Sequence, residues 1–101
     1  MGSVKVGSVR DLRPGEMKGF AVASKAVLLV NWDGKYYAIG NICTHMSCML
    51  AEGRLKDGTV QCPCHGSVFD VKTGDVVKGP ATLAETRYEV KTEGNEIFVN
   101  V

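Results

Sequence analysis

The chain has 101 residues, enough for one domain (1–101) with a thin core. Its 12 basic and 11 acidic side chains are interspersed, the formal net charge is +1, and 45% of the residues are hydrophobic. No basic stripe points to nucleic acid, no uncharged run is long enough for a spanning helix, and the first residues hold no apolar signal segment; a cytoplasmic protein without a membrane segment is expected.

Residues 4–9 alternate weakly, with Val4, Val6 and Val9 apolar, and read as an edge strand. Residues 11–15 contain Pro14-Gly15 and form a turn. Residues 16–23 can make a second strand. Residues 26–31 hold the run Val27, Leu28, Leu29 and Val30, a buried strand. A tight turn at residues 31–34 leads into a strand over 35–39, which completes a hairpin. Residues 52–56 and 59–61 flank Asp57-Gly58, a good hairpin turn. Short strands follow at 68–70 and 76–78. A final hairpin spans 86–91 and 96–99 around Glu93-Gly94-Asn95. No stretch of ten residues shows helical periodicity with caps, and Leu83-Ala84-Glu85 makes a turn at most. The fold class is therefore all-β, built from small antiparallel sheets.

All four cysteines and both histidines fall in two short segments, Cys43-Thr44-His45-Met46-Ser47-Cys48 and Cys62-Pro63-Cys64-His65-Gly66-Ser67. The hairpin over 52–61 joins them, so both can lie at one end of it. A secreted scaffold would use four cysteines in bridges, but a histidine beside each cysteine pair points to metal instead. Thiolates and imidazoles suit zinc, copper or an iron–sulfur cluster. Two Cys-plus-His pairs could hold one tetrahedral zinc, or a two-iron, two-sulfide cluster with cysteines on one iron and histidines on the other. Spacing alone leaves both open, although Cys-x-His is tight for two ligands on one metal.

Cys43-x-His45, sixteen residues, then Cys62-x-x-His65 closely resembles the Rieske iron–sulfur proteins. The flanks Tyr37-Ala38-Ile39, Gly66-Ser67-Val68-Phe69-Asp70 and Gly79-Pro80-Ala81 reinforce the resemblance, which covers essentially the whole chain. It implies the Rieske fold, a base domain with an inserted cluster-binding hairpin subdomain at about 40–81. It implies one Rieske-type [2Fe-2S] cluster, with Cys43 and Cys62 on the inner iron and His45 and His65 on the outer one. Replacing two thiolates by imidazoles raises the potential above that of all-cysteine ferredoxins. Cys48 and Cys64 match the cysteines that respiratory members of the family bridge. The resemblance thus implies a Cys48–Cys64 disulfide, worth roughly 3 kcal/mol by chain entropy and less where metal already anchors the loops.

The same resemblance assigns the neighbours of the cluster. Gly66 lets backbone approach it. Ser67 matches a serine whose hydroxyl bonds a bridging sulfide, and Pro80 belongs to a loop that forms a third wall. Phe69 stands where high-potential members carry a tyrosine that bonds a cysteine sulfur, so the potential should sit below theirs. An iron-bound imidazole keeps a proton on its second nitrogen, which couples reduction to proton uptake.

Residues 41–51 and 60–69 hold no Asp, Glu, Lys or Arg. An uncharged tip can approach a partner at little desolvation cost, with Met46, Met49 and Leu50 as candidates for its apolar rim. Trp32, Tyr36 and Tyr37 belong to core or sheet surface. The expected function is a monomeric one-electron carrier between a reductase and an oxygenase or other terminal acceptor, docking near the histidines. The alternatives are a small subunit of a nitrite reductase or respiratory-type complex, and, from another class, a zinc-stabilised binding module.

Overall fold

The computed structural model describes residues 2–44, 48–64 and 66–101. These contain ten strands: β1 (Ser3–Ser8), β2 (Met17–Val22), β3 (Lys25–Trp32), β4 (Lys35–Gly40), β5 (Arg54–Lys56), β6 (Thr59–Gln61), β7 (Val68–Asp70), β8 (Val76–Lys78), β9 (Arg87–Glu93) and β10 (Glu96–Asn100). The helical content of the described residues is two single-turn 3-10 helices, Val9–Asp11 and Leu50–Glu52. None of their helices is long and apolar enough to cross a membrane.

The strands form two antiparallel sheets. Six are ordered β1-β10-β9-β4-β3-β2, and four are ordered β5-β6-β7-β8. In chain order the small sheet is inserted between β4 and β9. Asp33-Gly34 and Asp57-Gly58 have positive φ at both positions (55° and 81°, 51° and 75°). That geometry suits two-residue hairpin turns, here joining Trp32 to Lys35 and Lys56 to Thr59. The β2–β3 hairpin turns through Ala23 and Ser24, which adopt positive φ despite carrying a Cβ.

Several strand ends differ by one or two residues from the sequence reading, and two of these shifts have a visible cause. β1 stops at Ser8, because Ser8 and Asp11 cap the following turn: the Arg10 N–H donates to Ser8 Oγ (3.3 Å) and the Ser8 N–H to Asp11 Oδ2 (3.0 Å). The strand expected from residue 52 starts at Arg54. Leu50–Glu52 instead turns, with the Gly53 N–H donating to the Leu50 carbonyl at 2.9 Å.

β3 explains why the core is double. Its side chains alternate between two faces, and both faces are covered. Leu28 and Val30 join Ile39, Leu50, Val60, Phe69, Val71, Cys43 and Cys62 in one cluster. Val27 and Leu29 join Leu12, Val22, Ala38, Ile97 and Val99 in the other. The continuous apolar run at 27–30 is the sequence sign of this two-sided burial. The first cluster lies between the large sheet and the small one, and it carries both cysteines that are not disulfide-bonded.

Candidate metal centre

Both six-residue cysteine segments are closed in the same way between their first and last residues. The Cys43 N–H donates to the Cys48 carbonyl at 2.9 Å, next to an antiparallel bridge between Ile42 and Met49. The Cys62 N–H donates to the Ser67 carbonyl at 2.7 Å, next to the Gln61–Val68 pair of β6 and β7. Each loop thus leaves the end of a ladder and returns to it. Gly66 has φ +79° and its N–H donates to the Cys62 carbonyl at 3.2 Å. A side chain is disfavoured there by backbone geometry, whatever space surrounds it.

Cys48 and Cys64 form a disulfide with their Cα atoms 6.4 Å apart, tying the loops side by side. Cys43 and Cys62 are free thiols, 4% and 2% exposed. The sulfurs of Cys48, Cys62 and Cys64 lie within 4.8 Å of one another. The first and last are bonded together, so within this trio only Cys62 keeps a ligand thiol. His45, His65 and Met46 lie outside the described residues. The donor set that can be tested is therefore the cysteine pair. Two buried thiols, one per loop, in an otherwise apolar cluster, suit the cysteine-ligated iron of a two-iron centre whose other iron takes imidazoles.

Ser67 is buried, and its Oγ accepts the Ala81 N–H at 3.0 Å. This bond fastens residues 79–81, with the exposed Pro80, to the second loop. Among the described residues the Ser67 hydroxyl proton has no acceptor. Phe69 is fully buried on β7, opposite Val60, in the cluster that holds Cys43 and Cys62.

The rim expectation needs one correction. Met49 is 47% exposed, but Leu50 is completely buried. Asn41 turns Leu50 inward: its carbonyl accepts the Leu50 N–H at 2.7 Å and its Oδ1 accepts the Ala51 N–H at 2.9 Å. Two apolar side chains that the sequence did not single out, Ile42 and Leu83, are exposed instead. Trp32, Tyr36 and Tyr37 are half-buried against the core, as expected. A solvent-open groove of about 410 Å³, lined by Glu52, Gly53, Arg54, Gln61, Cys62, Pro63 and Gly66, runs beside the second loop.

Glu85 is the residue that sequence reasoning missed. The segment read as a simple turn places a carboxyl group in the interior, under the first loop. Burial pushes it up to about 7, while the Thr44 N–H, which donates to it, pulls the other way. Thr44 also gives its hydroxyl proton to the Leu83 carbonyl at 2.6 Å. No sequence motif signals this niche, because it forms only when residues 40, 44, 74 and 85 meet.

Comparison with known proteins gives one consistent result. The model of the Rieske [2Fe-2S] domain matches residues 2–96. The ferredoxin component of biphenyl 2,3-dioxygenase from Rhodococcus jostii (strain RHA1) is 35% identical over 101 residues, covering 100% of this chain and 94% of that protein. Apoptosis-inducing factor 3 of Homo sapiens is 35% identical over 91 residues, 90% of this chain, but the chain spans only 15% of that protein. The ferredoxin of carbazole 1,9a-dioxygenase from Nocardioides aromaticivorans IC177 superposes with a TM-score of 0.94 at 33% identity, covering 98% of this chain and 97% of that one.

Proposed function

Because the chain belongs to the Rieske [2Fe-2S] domain family, we propose that it is a one-electron carrier between a reductase and an oxygenase or other terminal acceptor. The observation that carries the proposal is the pair of buried free thiols, Cys43 and Cys62, on loops joined by the Cys48–Cys64 bridge. The proposed ligands are Cys43, His45, Cys62 and His65, within a cluster-binding subdomain of residues 40–81. When bound, the cluster supplies a one-electron couple whose potential is raised by its two imidazoles.

The chain's own residues set the surroundings of that couple. Leu50, Val60 and Phe69 keep water from the thiol side. Ser67 offers a hydroxyl whose oxygen is held in place by the Ala81 N–H. The Cys48–Cys64 bridge fixes one loop against the other, so little needs to rearrange when charge changes.

The partner surface is proposed at the loop tip, near the histidines. Ile42 and Met49, exposed at the base of the first loop, and Leu83, whose carbonyl accepts the Thr44 hydroxyl, supply apolar area beside it, and no Asp, Glu, Lys or Arg occurs at 41–51 or 60–69. Two relatives matched over nearly their whole length are ferredoxins of dioxygenases, which favours an oxygenase as acceptor. The protein acts as a cytoplasmic monomer and does no chemistry on a substrate itself. Anaerobic titration with dithionite, followed by visible absorption, tests the proposal. It should take up one electron per chain and return it to an oxygenase component. A colourless protein that takes up none but carries one zinc per chain is a zinc module.

A further inference from the structure

Glu85 is the one charged side chain buried among the described residues, at 7% exposure. Its place is built by neighbours on two sides. A Cβ on Gly40 would come within 2.5 Å of Glu85 Oε1, and a Cβ on Gly74 would run into the Glu85 carbonyl oxygen. Backbone bonds hold the segment there: the Glu85 N–H donates to the Gly74 carbonyl (2.8 Å) and the Gly40 N–H to the Thr86 carbonyl (2.9 Å). Neither ion pair found among the described residues involves Glu85, and Oε2 has no hydrogen-bond partner there. Arg87, close in sequence, gives its Nε–H to the Lys72 carbonyl at 3.1 Å.

A buried, unpaired carboxyl weakens a fold, and an apolar side chain of similar size would fill the space with less cost. What Glu85 does provide is a grip on Thr44, the residue between Cys43 and His45. Thr44 is held by this segment through its hydroxyl, which donates to the Leu83 carbonyl at 2.6 Å, and its amide lies close enough to the Glu85 carboxyl to favour the charged form.

We propose that Glu85 is a positioning residue for the electron-transfer site, holding the Thr44 amide and setting a buried negative charge against the first ligand loop, which lowers the midpoint potential. An arriving electron adds negative charge to the site. A carboxylate kept away from water opposes it with little screening. The inference rests on the reading of the site as a two-iron cluster. Chains purified without iron and sulfide would defeat that reading; a fully loaded protein tests this one.

The experiment compares midpoint potentials of the holoprotein at pH 8, where Glu85 is ionised. Glu85→Gln keeps the size and an acceptor for Thr44 but loses the charge, so it should hold full iron and sulfide with its potential shifted upward. Glu85→Asp keeps the charge and should lie nearer the wild type than Gln does. An unchanged potential in loaded Glu85→Gln, or an equal upward shift in Glu85→Asp, overturns the proposal. A measurement on the wild type covers the case in which these variants fail to load. With isotope-labelled glutamate, the reduced-minus-oxidised infrared spectrum should show a perturbed buried carboxyl band, and its absence also overturns the proposal.

Discussion

Ser67 Oγ accepts the backbone N–H of Ala81 at 3.0 Å, inside the protein. That bond fastens the 79–81 loop and leaves the Ser67 hydroxyl proton free to donate. Ser67→Ala should keep its iron but show a lower midpoint potential, since a donor that favours the reduced site is lost. It should also lose about 1–3 kcal/mol of stability, because the buried Ala81 amide is left without an acceptor. Dye-mediated redox titration beside thermal unfolding measures both effects. Full iron with an unchanged potential would remove Ser67 from the site.

The bridge between Cys48 and Cys64 closes a separation of 16 residues. For a loop of that size chain entropy gives about 3 kcal/mol, an upper figure here because the proposed ligands already anchor both loops. The Cys48→Ser/Cys64→Ser double variant should therefore bleach at lower guanidinium concentration than the parent. Visible absorbance followed against denaturant is the readout. Coincident curves would show that metal alone holds the loops.

Gly53 packs its backbone on the carbonyl of Gln61, the residue before Cys62, so closely that a Cβ there would overlap the oxygen. Rotating a side chain cannot relieve a clash with backbone. Gly53→Ala should cost about 3 kcal/mol, the upper part of the overpacking range, and should lower iron content by displacing the second loop. Iron assay and unfolding midpoint together check this, and a fully loaded, equally stable variant would contradict it.

Glu85 also makes stability depend on pH. Its carboxyl rises from an ordinary 4.5 to about 7 in the folded chain, through burial. Between these values the folded state holds a proton that the unfolded state has released. Stability then falls as pH rises from about 4.5 to 7 and levels off above. The full shift corresponds to about 3 kcal/mol, and relaxation around the niche brings the expected loss to about 1–3 kcal/mol. Denaturation midpoints at pH 5 and pH 8 should show this fall in the wild type and a smaller one in Glu85→Gln. Equal pH dependence in both proteins would contradict the assignment.

Much of this architecture is legible in the chain. The run at 27–30 announces a strand covered on both faces, and Asp33-Gly34 and Asp57-Gly58 announce their turns because a positive φ favours glycine. The turn at Ala23-Ser24 carries no such mark, since neither residue is a usual choice for left-handed backbone. In the site, Cys43 and Cys62 stand out through residue type and spacing. The Cys48–Cys64 pairing becomes visible only through family resemblance, because four cysteines alone allow three pairings. Leu50 reads as rim or core by sequence alone, because its burial depends on Asn41, nine residues away. Glu85 gave no signal at all, because its niche belongs to tertiary packing rather than to any local pattern.

Cys43, His45, Cys62 and His65 are proposed to hold one two-iron, two-sulfide cluster. Iron and acid-labile sulfide, assayed per chain on the purified protein, test it most directly. Two of each per chain are expected. One zinc per chain with no sulfide would contradict it.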